Sequence, residues 1–303
     1  MTMKWRLPTA GVLCLLSSAV AAGPGAEDDW VDAAAEAVEQ FRDRLPPETA
    51  ALFEGELDRD ALRSITEAVR QRFQSADLEQ LARLEPAVRR ALAFEGWPAE
   101  MKPVVLWLRD RADYFPAALG VLRNLQKRER TGARVTRDEI DAFVWRQTVE
   151  RRPRPESAAE YESLLKPHFR AEGVPDALFW VAEVESSMRP DAVSPAGAAG
   201  LYQFMPATAE RFGLRLRPED ERFHPEKSAR AAAQYLRLLY DQFESWPLAL
   251  AAYNGGEGRV AKTLRRTGAT TFGDLSPHLP SETQLYVPKV LAVIEKREGR
   301  PLP

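Results

Sequence analysis

Residues 174–188 read VPDALFWVAEVESSM, and the fold turns on them. Pro175 suits the first turn of a helix. Wound at helical pitch, Leu178, Val181, Ala182, Val184 and Met188 share one broad apolar arc. Glu185 falls inside that arc and Glu183 outside it. One carboxylate is therefore predicted to face the core and its neighbour to face away, so Glu183→Gln is expected to be nearly silent. A carboxylate on an apolar face is costly unless it is protonated, paired or put to use. Desolvation raises a carboxyl pKa, which would leave Glu185 able to donate a proton near neutral pH. A Glu held by an Arg or capping a helix end fits the wheel equally well, so the wheel alone leaves the two readings level.

The segment after Glu185 favours chemistry. Residues 185–214 read ESSMRPDAVSPAGAAGLYQFMPATAERFGL. Pro190, Pro195, Gly197 and Gly200 predict an irregular loop directly after the helix, and loops beside a rigid element are where sites are built. Pro206 opens a short helix ended by Gly213. Residues 246–260, WPLALAAYNGGEGRV, predict an apolar helix stopped by Asn254-Gly255-Gly256, which puts Tyr253 and Asn254 at a helix end. A last helix, SETQLYVPKVLAVIEK, is predicted to start at Ser281 with Gln284 completing a capping box.

Working outward, the rest of the chain is helical in pattern, with no sustained strand alternation. Asp29 caps a predicted helix to about Arg44, stopped by Pro46-Pro47. Asp58 or Asp60 starts another through Leu62, Ile65 and Val69. Residues 76–94 come next with a break or kink at Pro86, then residues 103–128 interrupted at Pro116. Thr136 and Glu139 form a capping box for a helix to Glu150. Arg151–Ser157, RRPRPES, is basic and holds two Pro, and is read as a linker. The expected fold class is all-α, with a helical region at 23–150 ahead of a domain at 158–298. The first region carries no legible chemical motif, and Trp97, Trp107 and Trp145 read as core or interface residues.

Composition bounds the function. The chain has 303 residues, 45% hydrophobic and 29% charged, with 42 basic and 45 acidic residues. This is globular composition without a strongly basic field, so nucleic acid is not the expected partner. Residues 1–22, MTMKWRLPTAGVLCLLSSAVAA, have a positive head, a short apolar run and small residues at the end. They read as a signal peptide cleaved near Ala21 or Ala22, because the run is too short to span about 30 Å of hydrocarbon. Leu13 before Cys14 argues against a lipoprotein site. Cleavage removes Lys4 and Arg6 and the single Cys, taking the formal charge from −3 to −5 and excluding thiol chemistry. With one Cys and three scattered His, neither a metal site nor a cofactor is expected.

Five blocks carry a resemblance: Glu185-Ser186; Ser194-Pro195-Ala196-Gly197 through Gly200-Leu201-Tyr202-Gln203; Met205-Pro206-x-Thr208; Ala252-Tyr253-Asn254-x-Gly256; and Glu282-Thr283-x-x-Tyr286-Val287. In this order they resemble the catalytic domain of the soluble lytic transglycosylases, related to goose-type lysozyme. HPEKSARAAAQYL (residues 224–236) and WPLALAAYNGGEGRV are most similar to the membrane-bound lytic transglycosylase D branch. The resemblance covers about residues 156–298 and implies a lysozyme-like helical domain with a saccharide cleft. It implies Glu185 as the single catalytic acid/base. It places Ser194, Gln203 and Met205 along the cleft, makes Tyr253 and Asn254 orient Glu185 and the scissile sugar, and adds Glu282 and Tyr286 as later cleft-lining residues. The chain departs from the family at Tyr202, where Met is common, and at His224, where many members have Asp. LysM repeats are absent, and residues 23–150 match nothing familiar in that branch.

The implied substrate is the peptidoglycan glycan strand, and the implied reaction forms a 1,6-anhydro end without water. An ordinary glycosidase needs two carboxylates about 5 to 9 Å apart. Asp191 is the nearest second acid in sequence, but beside Pro190 it reads as a turn residue. Two other readings use the same scaffold: a hydrolytic lysozyme, and a non-catalytic peptidoglycan-binding or scaffold protein. The helices of residues 23–150 are the expected surface for a cell-envelope protein partner.

Overall fold

A computed structural model describes residues 57–303. The leader and the expected helix at 29–44 lie outside the described residues. Those described are all-α: helices joined by short turns, and two isolated bridges, Val193 to Ala199 and Ala199 to Phe204, instead of strands.

The first half holds α1 (Arg59–Gln74), α2 (Leu78–Ala82), α3 (Glu85–Ala93), α4 (Lys102–Asp110), α5 (Tyr114–Thr131) and α6 (Arg137–Glu150). Asp58 caps α1 by accepting from Ala61 N at 2.7 Å, and Asp77 caps α2. Thr136 and Glu139 form the expected capping box. Pro86 sits in the first turn of α3, so the chain breaks ahead of it. Pro116 behaves differently from expectation. It is the third residue of α5, where a missing N–H costs nothing. The interruption falls instead on the charged turn at residues 111–113.

The second half holds α7 (Ala158–Ala171), α8 (Val181–Ser186), α9 (Pro206–Arg211), α10 (Pro225–Phe243), α11 (Trp246–Gly255), α12 (Glu257–Thr267), α13 (Phe272–Leu275) and α14 (Ser281–Glu298). Helix α14 is the joint. It packs on α11 and α8 from its own half and on α6, α1 and α5 from the other. Twelve of its residues are buried, and side chains from both halves form one continuous apolar cluster. Its start differs from the expected capping box. Pro280 takes the cap position, and Gln284 is buried, donating to Leu279 O at 2.9 Å and to Ala76 O at 3.0 Å. Ser281 N donates to Ser75 O at 2.6 Å. The residue read as a local cap is a tie between halves.

The stretch 174–188 also departs from an ideal wheel. Residues Asp176–Trp180 wind as a 3-10 helix before α8 begins. Residues 177–186 are all buried, and α14 packs on the side that the wheel left open. Glu183 is therefore 0% exposed, not solvent-facing. Its carboxylate accepts from Arg297 Nε at 2.9 Å and Nη2 at 2.8 Å, and Arg152 Nε lies 3.3 Å away. A buried carboxylate met by two guanidinium groups is structural. Removing one partner of such a cluster leaves uncompensated charge, at a cost of about 3 to 5 kcal/mol. Glu183→Gln should accordingly lower stability by about 3 kcal/mol in urea unfolding. An unfolding midpoint equal to the wild type would contradict this assignment.

Candidate active site

The backbone around Glu185 is held in a sparsely populated shape. Helix α8 ends at Ser187 with φ 53°, and Met188 follows with φ 60°. Two successive non-glycine residues there cost on the order of 1 to 3 kcal/mol each and persist only when their surroundings fix them. Ser187 Oγ donates to Asp110 Oδ1 at 2.8 Å and accepts from Arg152 Nη2 at 3.2 Å. Ser157 Oγ donates to Met188 O at 3.2 Å. Ser186 Oγ lies 3.0 Å from both Ala182 O and Leu201 O, tying the helix end to the loop behind it. In that loop Gly200 is obligatory: at φ 82° a Cβ would sit 1.9 Å from Arg222 O.

Glu185 is 8% exposed. Tyr286, on α14, donates its hydroxyl to Glu185 Oε1 at 2.7 Å. Burial raises the Glu185 pKa to about 7, with Glu282 adding to the rise, while the Tyr286 hydrogen bond, Arg111 and Lys289 oppose it. The carboxyl thus titrates in the range where one group can both give and take a proton.

Glu185 opens onto a groove made of adjoining hollows. The largest, about 610 Å³, is lined by Glu185 together with Ser194, Gln203, Met205, Tyr253, Asn254 and Glu282. Every residue named from sequence is there except Tyr286, which stands behind Glu185 as its hydrogen-bond donor. A hollow of about 340 Å³ continues past Tyr253, Asn254 and Met205, and one of about 210 Å³ continues on the Asp191 side.

The individual placements refine the sequence reading. Ser194 Oγ is turned inward, accepting from Ala198 N at 3.0 Å. Gln203 has φ 49° and spends its amide N–H groups on Gly200 O at 2.8 Å and Ala192 O at 3.1 Å, so its position is fixed by the loop. Met205 is 44% exposed on the rim. The Tyr253 hydroxyl donates to Tyr202 O at 2.8 Å and makes no hydrogen bond to Glu185; the hydroxyl doing so is that of Tyr286. Asn254 Oδ1 accepts from Thr283 Oγ1 at 2.7 Å, and the α11 cap is Gly256 at φ 90°.

Sequence reasoning missed the other wall. Glu67, Arg70, Gln74, Trp107 and Arg111 line the large hollow, all from the region that carries no motif. Arg111 Nε lies 3.4 Å from Glu282 Oε1, and its guanidinium rests 4.8 Å above the Trp107 ring. Lys289 is 0% exposed, with Nζ 2.7 Å from Asp113 Oδ1 and 4.4 Å from the Tyr114 ring centre. Burial lowers the Lys289 pKa to about 8 against the pull of Asp113. The available signal was residues 109–113, RDRAD, a charged step between two apolar runs.

The raised pKa of Glu185 has a consequence for stability. Its folded value of about 7 stands above the ordinary 4.5, so the folded state holds this proton more tightly than the unfolded chain. Stability is full below pH 4.5 and is lost as pH rises through 7. Glu185→Gln cannot ionise. Its stability relative to the wild type should climb by on the order of 3 kcal/mol across that window, read by urea unfolding at several pH values. A pH-independent difference between the two proteins would refute the buried-acid picture.

Residues 165–275 match the profile of the Transglycosylase SLT domain. The chain is 37% identical over 157 residues to membrane-bound lytic murein transglycosylase D of Escherichia coli K12, covering 48% of this chain and 34% of that protein. It is 32% identical over 164 residues to the soluble lytic murein transglycosylase of the same strain, covering 50% of this chain and 24% of that one. The chain thus spans about a third or less of these relatives' lengths. Among solved structures, lytic transglycosylase Slt of Pseudomonas aeruginosa superposes with a TM-score of 0.43 at 21% identity, over 89% of this chain and 50% of that one. Residues 165–275 have the sequence of a Transglycosylase SLT domain, and across about half its length the chain is similar to the lytic murein transglycosylases.

Proposed function

We propose that this protein is a peptidoglycan lytic transglycosylase. It cleaves the β-1,4 bond between N-acetylmuramic acid and N-acetylglucosamine without water and leaves a 1,6-anhydro-muramic end. The observation that carries the reading is one buried carboxyl with a pKa of about 7, set in the wall of an open groove. A single group with that pKa suits both halves of the reaction. Protonated Glu185 gives its proton to the glycosidic oxygen; the C1–O bond breaks and the N-acetylglucosamine side leaves as an alcohol. The oxocarbenium-like muramic residue is eased by its own N-acetyl group. The Glu185 carboxylate then takes the C6 hydroxyl proton as O6 bonds to C1. The acid is regenerated and no water enters.

In this reading Ser194, Gln203, Met205, Tyr253, Asn254 and Glu282 bind the glycan, and Tyr286 holds Glu185. Residues 158–298 make up the catalytic domain. A hydrolytic lysozyme on the same scaffold would need a positioned water in place of the C6 hydroxyl, which most glycosidases activate with a second carboxylate. The groove is lined by further carboxylates, Glu282 and Glu67 in the large hollow and Asp191 in the adjoining one, and Glu282 is paired with Arg111. Export through residues 1–22 and a cell-envelope partner for residues 23–150 complete the proposal, and the former agrees with a substrate that lies outside the inner membrane.

Digestion of purified sacculi with mass analysis of the fragments tests the chemistry. Wild-type protein should release muropeptides one water lighter than hydrolytic products, and folded Glu185→Gln should release none. Fragments of hydrolytic mass would turn the proposal into a lysozyme; undiminished digestion by Glu185→Gln would overturn it. The reaction begins with the protonated acid, so the rate should fall as pH rises above about 7. A rate that holds steady to pH 9 or beyond would contradict that starting state.

A further inference from the structure

The end of α4 and the turn before α5, residues 110–113, are where the motif-free half reaches the centre. Each charged residue there contacts something that Glu185 depends on. Asp110 accepts from Ser187 Oγ and pairs with Arg189, fixing the strained turn after Glu185. Asp113 pairs with Lys289 at 2.7 Å and Arg152 at 3.0 Å. Arg111 lies on Trp107 and pairs with Glu282 across the groove. Both Arg111 and Trp107 line the hollows on either side of Glu185.

We propose that Arg111 is a positioning residue of the active centre, clamping Glu282 to the groove wall beside Glu185, so that the catalytic unit begins well upstream of the segment that resembles known transglycosylases. This rests on the function proposed above for the reaction it serves, but not for the clamp itself.

The clamp has an electrostatic side. Tyr286, Glu282 and Lys289 face Glu185 from α14, Arg111 from the α4–α5 turn, Tyr114 from the first turn of α5, and Tyr253 from α11. Two of these set opposing signs from one ion pair: Arg111 favours the ionised form of Glu185 and Glu282 disfavours it. Held together, they act on Glu185 in opposite directions. Losing Arg111 removes the favourable cation and leaves Glu282 unneutralised, so both effects push the same way. Losing Glu282 does the reverse.

The experiment follows the Glu185 carboxyl by 13C-glutamate NMR, assigned with Glu185→Gln, in the full chain without substrate. Arg111→Gln should move the midpoint up by roughly one pH unit, Glu282→Gln should move it down, and Arg111→Lys should hold it near the wild-type value. On glycan strands Arg111→Gln should lower kcat by about ten- to a hundredfold with KM little changed, as misplacement of a positioned group does. Arg111→Lys should recover part of that loss. If Arg111→Gln fails to fold, the opposite shift in Glu282→Gln and the retained midpoint in Arg111→Lys carry the test. An unmoved Glu185 midpoint in folded Arg111→Gln or Glu282→Gln, or shifts of the same sign from the two, would overturn the clamp. The titration needs no substrate. A wild-type protein that titrates as expected but leaves sacculi intact therefore strikes the proposed function and leaves the clamp standing.

Discussion

A carboxyl group largely withdrawn from water in the wall of an open groove, with one short hydrogen bond from a tyrosine, is the constraint that organises this molecule. Glu185 sits on a short helix whose every side chain is buried. That helix has too few residues to be stable by its own hydrogen bonds. It exists because α14 lies against it and because the turn after it is pinned from three directions, by Asp110, Arg152 and Ser157. The strain at Ser187 and Met188 is tolerated for the same reason: enough independent contacts meet there that a relaxed turn would break several at once.

The contacts that pin it are polar and buried, which is an expensive way to join two halves of a fold. Arg297, Glu183, Arg152, Asp113 and Lys289 form a chain of alternating charge that leaves the end of α14, passes Asp113 at the start of α5 and returns to α14. Such a chain is weak evidence for stability, since apolar residues of equal volume often serve as well. What it does supply is register. An apolar interface tolerates sliding by a fraction of a turn, whereas a guanidinium facing a carboxylate does not. For a site whose acid must stand within hydrogen-bond reach of a sugar oxygen, register between α8, α14 and the α4–α5 turn is the property that counts.

The sequence made the all-α class, several helix boundaries and nearly the whole lining of one groove wall legible, because those features are written locally. Caps at Asp58 and Thr136 speak to residues three positions away. The groove residues come after Glu185 in ordered blocks with distinctive Gly, Pro, Tyr and Asn. What stayed hidden depended on partners distant in the chain. Glu183 looked solvent-facing because a wheel describes one helix, and nothing in residues 174–188 announces that Arg297 will cover its polar side. Gln284 looked like a capping residue because the spacing from Ser281 was right; in the fold Pro280 starts the helix and frees that amide to reach Ala76. Arg111 was passed over because the break was placed at Pro116, where a proline can equally well sit in the first turn of the next helix.

These misses share a cause with the site's chemistry. Burial alone would carry Glu185 past usefulness, because an acid held too tightly protonated cannot act as the base in the second half of a reaction. A counterweight is needed, and it cannot come from α8, whose neighbouring positions are already committed to the core and to Glu183. Tyr286 supplies part by donating to the ionised form. The remainder comes from cations on other elements: Lys289, itself buried and held by Asp113, and Arg111 from a turn some seventy residues upstream. A carboxyl poised near neutrality is thus a balance between a local cost and long-range compensation. The local cost is written in the sequence around Glu185; the compensation takes form only when the two halves close on α14.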